Sequence, residues 1–558
     1  MDFPYIHDIL SVEEKDKIVK SNISKAIAKQ TNVLVIDLNC IIKDVYYNTW
    51  HNPNYIRENI KDMPIIEGDH SKYSYFCYKI TDTIRTLTTY CKPNTLVLLC
   101  NGRLPVHTLQ RERVDLYRDD KYSDIVPGSP LLLLLDNHIY QWLSRSQAYP
   151  DPRGIVLPGH VIYNSYKNPG DFVYKTVELF KSNIFSEGVN ILYSSNPNSI
   201  AACLISSVVN LYLMYQNVNI ILDMRVYRDI IESKNINIFD YVDICNLIAT
   251  NMLPNRHKIK VKNVISYYHN IKSESVGRIL SDQNGILWYN MSKIIKLIAE
   301  NEDSLLTSNI TTNRLLLYPS KVLELSIVKE QTEDNSEKID YSVYRDNYYK
   351  HHINMKGDQT QLEKLNNSTI NISYDELDIK DRCIHFLKIQ AYIHNLFFGI
   401  GVDWCIYYPY HHLPLFRDIH QQLSDMDSDE LRAINNVKAI NAYYKGNFNL
   451  LHQLLAIIPT QKCDLLPSTI RHIPCEYSEL SDMYPSKYFS DKDGINDEKE
   501  SEAIIPFSNI DRIVLQTTNI YFPQHIRYED DNILTEFIFK YKKAVLYAKS
   551  NIKGYLFV

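Results

Sequence analysis

The apolar run Val33-Leu34-Val35-Ile36 has no polar residue in it and ends on Asp37. A run without alternation leaves no face for water, so it predicts a strand of a parallel sheet covered on both sides, with a carboxylate at its C-terminal end. Thr95–Cys100 repeats the pattern, and Gly154–Leu157 and Asn190–Tyr193 read as further short strands. Between them the periodicity turns helical, over Tyr75–Tyr90, over Leu131–Ser144 after the turn residues Pro127-Gly128 and Ser129-Pro130, and over Phe172–Lys181. This β-α-β alternation predicts a doubly wound α/β domain with its site at the strand C-termini.

Three polar stretches interrupt the second half. Glu330–Lys338 and Lys356–Asn371 predict a linker over 329–376, dividing a domain over 1–328 from a second region over 377–558. Asp378–Gly399 opens that region with helix-like apolar spacing, and Ser490–Glu502 reads as a solvated loop. No internal repeat is present. No apolar run reaches the roughly 18–20 residues needed to cross a bilayer, and the opening Met1-Asp2-Phe3-Pro4 lacks the basic and apolar segments of a signal peptide. A soluble cytoplasmic protein with no membrane partner is the expectation.

Composition narrows this modestly. A chain of 558 residues with 45% hydrophobic and 23% charged residues can bury a sizeable core and is not a disordered protein. The net charge of −6 counts against broad, non-specific binding to nucleic acid, and leaves room for one local basic groove. Ten cysteines without a C-x-x-C pair point to buried thiols in a reducing compartment rather than to zinc sites or disulfides. The abundance of Tyr, Asn and Ile suggests an AT-rich coding genome, such as that of a large DNA virus or a protist.

The segment Trp404-Cys405-Ile406-Tyr407-Tyr408-Pro409-Tyr410-His411-His412-Leu413-Pro414 closely resembles the W-x-W-Y-Y-P-Y-H-Y-A-P signature of XRN-type 5′→3′ exoribonucleases. Further matches follow in the family's order. Val35-Ile36-Asp37-Leu38-Asn39 resembles the first metal-binding strand, and Lys92-Pro93 with Asn101-Gly102-Arg103-Leu104-Pro105 resembles K-P…D-G-V-A-P. Pro169-Gly170-Asp171 looks like P-G-E-G-E, Leu192–Asn198 like L-Y-G-L-D-A-D, and Thr250–Pro254 like G-N-D-F-L-P. Asp482-Met483-Tyr484-Pro485 and Ile504-Ile505-Pro506-Phe507 resemble D-F-Y-P and L-L-P-F. Each match is short. Their collinearity carries the resemblance.

The resemblance implies a PIN/FEN-like α/β nuclease core, a mostly helical C-terminal region, and cleavage assisted by two divalent ions. Such a site holds two ions about 3.5–4 Å apart, and hard ions such as Mg²⁺ need anionic oxygen ligands. Carried over residue by residue, Asp37 keeps the first ligand position and Asp171 the first of two glutamate positions. Val173 falls at the second glutamate, while Asn101, Asn196, Asn198 and Asn251 fall at aspartates. Asparagine offers only a neutral carbonyl, so the pair of ions loses most of its counter-charge. The implied protein is a pseudo-exoribonuclease retained for binding RNA 5′ ends in mRNA metabolism, with Mg²⁺ as cofactor only of an active form. Two alternatives stay open. One is a working exoribonuclease in which Asp223, Asp240 or Asp243 supplies the missing charge; the other is a structural component with protein partners and no RNA.

The family's basic 5′-phosphate pocket falls on Thr108, Glu112, Asp115 and Leu116, leaving Arg111, Arg113 and Arg118 as a shifted cluster or as a solvated helix face. Trp50 and His51 are placed to stack the 5′ base, or to pack in the core. Tyr407, Tyr408 and Tyr410 read as packing residues, and His411 and His412 as core histidines rather than metal ligands.

Overall fold

The computed structural model describes residues 9–20, 31–52, 69–145, 157–185, 187–215, 220–249, 253–254, 259–272, 277–329, 337–352, 375–435, 448–475, 477–518, 535–540 and 543–547. Its centre is a nine-stranded sheet built from β1 (Val19–Lys20), β2 (Thr31–Asp37), β3 (Thr95–Leu99), β4 (His160–Asn164), β5 (Val189–Ser194), β6 (Leu211–Tyr215), β7 (Ile221–Asp223), β8 (Thr535–Lys540) and β9 (Lys543–Tyr547). The spatial order is β1-β7-β6-β5-β2-β3-β4-β8-β9. The five central strands, β6 to β4 in that order, run parallel, and the edges are antiparallel. The chain adds strands on one side of β2, then returns to its other side with β5. The crevice at the C-terminal ends of β2 and β5 is therefore the topological switch point, where ligands of open α/β sheets bind.

Helices cover both faces: α1 (Leu38–Trp50), α2 (Asp69–Cys91), α3 (Val106–Arg118), α4 (Pro130–Arg145), α5 (Phe172–Phe180) and α6 (Asn198–Ile205). The continuous apolar strands explain themselves here. Val33 and Val35 enter one core with Val97 and Leu99, while Leu34 and Ile36 enter the other with Leu96 and Leu98. The first core runs on without a break into the second half of the chain, through α7 (Tyr341–His352) and α8 (Glu376–Phe398). The α/β fold class and the predicted helices agree with this arrangement.

A strand not read from the sequence runs over His160–Asn164, with Val161, Ile162 and Tyr163 buried; of the expected strand Gly154–Leu157, residues 154–156 lie outside the described residues. Two local readings need correction. The 329–376 stretch is not simply a polar linker. Glu337–Ile339 pairs with Ile327–Lys329, and α7 buries Tyr344, Tyr348 and Tyr349. Nor is Ser490–Glu502 simply a solvated loop, since its ends form the hairpin Phe489–Asp491/Glu502–Ile504, in which Asp491 and Glu502 are buried. The ten cysteines are free thiols, six of them buried. Among the described residues, no helix is long and apolar enough to cross a membrane.

One close approach shapes the crevice. Gly102 donates its N–H to Gly170 O at 2.9 Å, and a Cβ on it would lie 1.6 Å from Asn168 O. Gly102→Ala must push the Tyr166–Gly170 loop away, and we expect a loss of more than about 3 kcal/mol of stability, read as a lowered urea midpoint. An unchanged midpoint would show that this loop yields freely.

Candidate functional site

The strand ends bring the predicted ligands into one crevice, but they are already engaged with the protein itself. Asp37 ends β2 and caps α1, and is 2% exposed. Its Oδ1 accepts the N–H of Asn39 at 3.0 Å and the Asn39 amide at 2.7 Å, and its Oδ2 accepts the Ser194 hydroxyl at 2.8 Å. Burial pushes its carboxyl up to about 6 against these hydrogen bonds. Asp171 caps α5, accepting Tyr174 N–H at 2.8 Å and the Thr108 hydroxyl at 3.0 Å; burial raises its carboxyl as well.

The asparagines act as backbone connectors. Asn101 accepts Phe172 N–H at 2.8 Å through its side chain, and donates its own N–H to Asn39 Oδ1 at 2.9 Å. Asn196 accepts Asn198 N–H at 3.0 Å and donates its N–H to Ser194 Oγ at 3.0 Å. Asn198 is buried in the first turn of α6. Val173 is buried among apolar neighbours. Asn251 lies outside the described residues. Asn39, Ser194 and Lys175 were not singled out from sequence, because their roles depend on contacts between separate strand ends. Lys175 is wholly buried, donates to Cys100 O at 2.6 Å and Ser165 O at 3.1 Å, and is pushed by burial down to about 7.

The other carboxylates considered as ligands, Asp223, Asp240 and Asp243, make contacts of their own. Asp223 caps the helix Met224–Ser233. Asp240 accepts the N–H groups of Ile279 and Leu280 and the Tyr268 hydroxyl. Asp243 accepts Ser281 Oγ at 2.5 Å and lies 2.8 Å from His394 Nδ1. The nearer carboxylate is Glu112 on α3, whose carboxyl is raised by burial and by the charges of Asp115 and Asp171, while Lys43 opposes the rise. Lys43 also acts on Asp37. Among the described residues, no group of three donors at this crevice comes close enough to share an ion. The donor set does not fit a pair of Mg²⁺ ions, which need several unencumbered carboxylates.

The arginines of α3 are engaged with the protein as well. Arg111 forms a bidentate pair with Glu502, at 2.7 and 3.1 Å. Arg113 has no exposed surface; it donates to the carbonyls of Pro506 and Ala456 at 3.1 and 2.7 Å, and to that of Met483. Arg118 donates to Asp115 and to Ser501 O. The predicted RNA-binding cluster of arginines is thus corrected: these side chains fasten α3 to the second region. Thr108, Glu112 and Asp115, three and four residues apart, follow one line along α3 and give its crevice side acidic character, while Leu116 is buried.

The Tyr-Tyr-Pro-Tyr-His segment works in the same direction. Tyr408 and Tyr410 are buried and Tyr407 half-buried; Tyr408 donates to His412 O at 2.8 Å, and Tyr410 to Asp381. His411 lies 2.8 Å from Ile505 O and 3.1 Å from Glu502 Oε1. Trp404 O accepts Val106 N–H at 2.8 Å, and its ring meets Tyr174 edge-on. Packing roles predicted for the three tyrosines agree with these contacts. At the opposite rim, Trp50 is half-buried and stacks on Tyr46 with centroids 4.8 Å apart. His51 is exposed and stacks on the exposed Tyr47, beside Lys121, which lies over the rings of Tyr47 and Tyr122.

A parallel sheet with carboxylate-bearing strand ends at its switch point, wrapped by a second helical region, is the class of an α/β nuclease core of the PIN-like type. No protein-family model matches the chain. It is 24% identical over 206 residues to human 5′-3′ exoribonuclease 1, covering 35% of this chain and 10% of that protein. To 5′-3′ exoribonuclease 2 it is 23% identical over 224 residues in Schizosaccharomyces pombe and 25% over 179 residues in Yarrowia lipolytica, covering 40% and 32% of this chain. These likenesses support a divergent relationship to the XRN-type 5′-3′ exoribonucleases. The matched part spans only a tenth to a fifth of the length of these relatives.

Proposed function

We propose that this XRN-type protein has given up phosphodiester cleavage and acts in RNA metabolism by holding RNA in the cytoplasm, with Mg²⁺ a cofactor only of active relatives. The observation that carries this reading is the burial and engagement of Asp37 and Asp171. Each carboxylate is desolvated and already accepts hydrogen bonds from the protein's own donors, three at Asp37 and two at Asp171, while three of the four asparagines at the expected ligand positions are buried or half-buried and Asn101 joins the end of β3 to Asn39 and to the start of α5. The acidic line along α3 disfavours a 5′-phosphate at the family's position. RNA contact falls instead to the rim, where the exposed Lys43 and His51 lie beside the exposed ring of Tyr47, and Lys121, paired with Asp119, lies over the same ring.

The test is Mg²⁺- and Mn²⁺-dependent turnover of a 5′-monophosphorylated RNA, with Asp37→Ala as control. We expect no shortening of the RNA by either protein, and binding that weakens steeply with salt. Processive loss from the 5′ end that disappears in Asp37→Ala would overturn the proposal. Neither turnover nor binding would leave a scaffold without RNA.

A further inference from the structure

Far from the nuclease crevice in sequence, the last turn of α7 sets two adjacent histidines against Asp491, the final residue of the strand Phe489–Asp491. His351 Nε2 lies 4.0 Å from Asp491 Oδ1, and His352 Nδ1 lies 3.7 Å from Oδ2. These three donor atoms lie within 4.8 Å of one another. His412 joins them from the Tyr-Pro-Tyr-His-His segment, its Nε2 3.2 Å from Asp491 Oδ2 and its ring 3.9 Å from that of His352.

Well-formed hydrogen bonds do not hold this convergence together. The Nε2 atoms of His351 and His412 are both buried, and they face the Asp491 carboxylate at 4.0 and 3.2 Å without good hydrogen-bond geometry. Buried polar atoms left so are costly, which calls for a ligand. The spacing suits one. Ligand atoms on a tetrahedral zinc, with bonds of about 2.0–2.2 Å, stand about 3.3 Å apart, and the separations of His352 and His351 from Asp491, 3.7 and 4.0 Å, lie near that value. Asp493, the nearest other carboxylate, is taken up by Ser320 Oγ at 2.5 Å and Lys321 N–H at 2.7 Å and holds the loop instead. A cavity of about 370 Å³, lined by His352, His412 and Asp491, gives an ion access from outside the cluster.

We propose that His351, His352 and Asp491 bind one transition-metal ion of the zinc class, with its fourth position open to water and His412 packed against the site. Imidazole and carboxylate donors in tetrahedral disposition favour such an ion over Mg²⁺. The ion clasps two separate stretches, around residues 351 and 491, at the seam between α7 and the second region.

The experiment uses the full chain, stripped with chelator and titrated with Zn²⁺ against a chromophoric chelator, then with Co²⁺ followed by visible absorption. Expected are one Zn²⁺ per chain, tetrahedral Co²⁺ bands, and at least about tenfold weaker binding in Asp491→Asn and in His351→Gln. Glu500→Gln, on the cavity wall but not a donor, should bind as the parent does. His351 sits partly exposed at a helix end, so His351→Gln keeps the test valid if Asp491→Asn does not fold. Absence of tight Zn²⁺ binding, or undiminished binding in His351→Gln, would overturn the proposal.

Discussion

Asp37→Asn raises the melting temperature of the metal-free protein near neutral pH, and the gain vanishes in acid. Asp37 has a folded-state value of about 6 against an ordinary 3.8, because burial outweighs the hydrogen bonds from Ser194 and Asn39. A carboxyl raised on folding contributes stability that is fully present below about pH 4 and lost as the pH climbs through about 6. Above that pH the folded protein carries a desolvated charge, a penalty of up to about 3 kcal/mol for a shift of roughly two units. Asparagine removes the charge and keeps the geometry. Its Oδ1 still accepts from Asn39, and its Nδ2 can donate to Ser194 Oγ. We expect a gain of about 1–3 kcal/mol, a few degrees in a chain of this size, at about pH 7.5 with EDTA present, and none at about pH 4. The same substitution in a site built for Mg²⁺ would remove a ligand, and added Mg²⁺ would then stabilise only the parent. Loss of stability in EDTA at neutral pH, or a Mg²⁺-dependent gain confined to the parent, would contradict the reading of a buried carboxylate engaged with the protein's own donors.

Arg111→Met has the opposite and larger consequence. Arg111 meets Glu502 in a pair whose side chains are only 19% and 7% exposed, and His411 lies 3.1 Å from the same carboxylate. Burial works against ionisation of Glu502, yet Arg111 and His411 together hold it well below the usual carboxylate range. Removing the guanidinium strands a buried charge, which costs about 3–5 kcal/mol. The loss should be greatest at neutral pH and above and should shrink as the pH falls, because Glu502 without Arg111 to hold it down protonates at a higher pH in the variant than in the parent. Were Arg111 a phosphate-binding residue, the same variant would instead keep its melting temperature and lose RNA affinity. Thermal unfolding and a filter-binding assay on one preparation separate the two outcomes.

These predictions turn on the part of the molecule that local pattern does not carry. Thr31–Asp37 and Thr95–Leu99 were legible because a strand covered on both faces must be apolar at every position, and α2, α4 and α8 because a half-buried helix repeats at its own period. The strand His160–Asn164 was not read because His160 and Asn164 bracket an apolar run of only three residues, too short to signal a strand by itself. The hairpin at Asp491 was read as solvent-exposed because its charged residues are buried only by partners from α7 and the Tyr-Pro-Tyr-His-His segment.

What the sequence carried by itself was the resemblance, through Tyr407–His411 and the order of the shorter motifs, and the presence of amides at Asn101, Asn196 and Asn198 where that resemblance expects carboxylates. Residue identity is enough for both. Only the tertiary structure decided what the remaining charges do. Arg111 finds Glu502 across 391 residues, Asp37 meets Ser194 across 157, and His351 meets Asp491 from another element altogether. A charge in sequence is a capacity for either solvent, ligand or partner, and burial alone selects among them, because a desolvated charge is tolerated only where a specific opposite group or donor has been brought within reach.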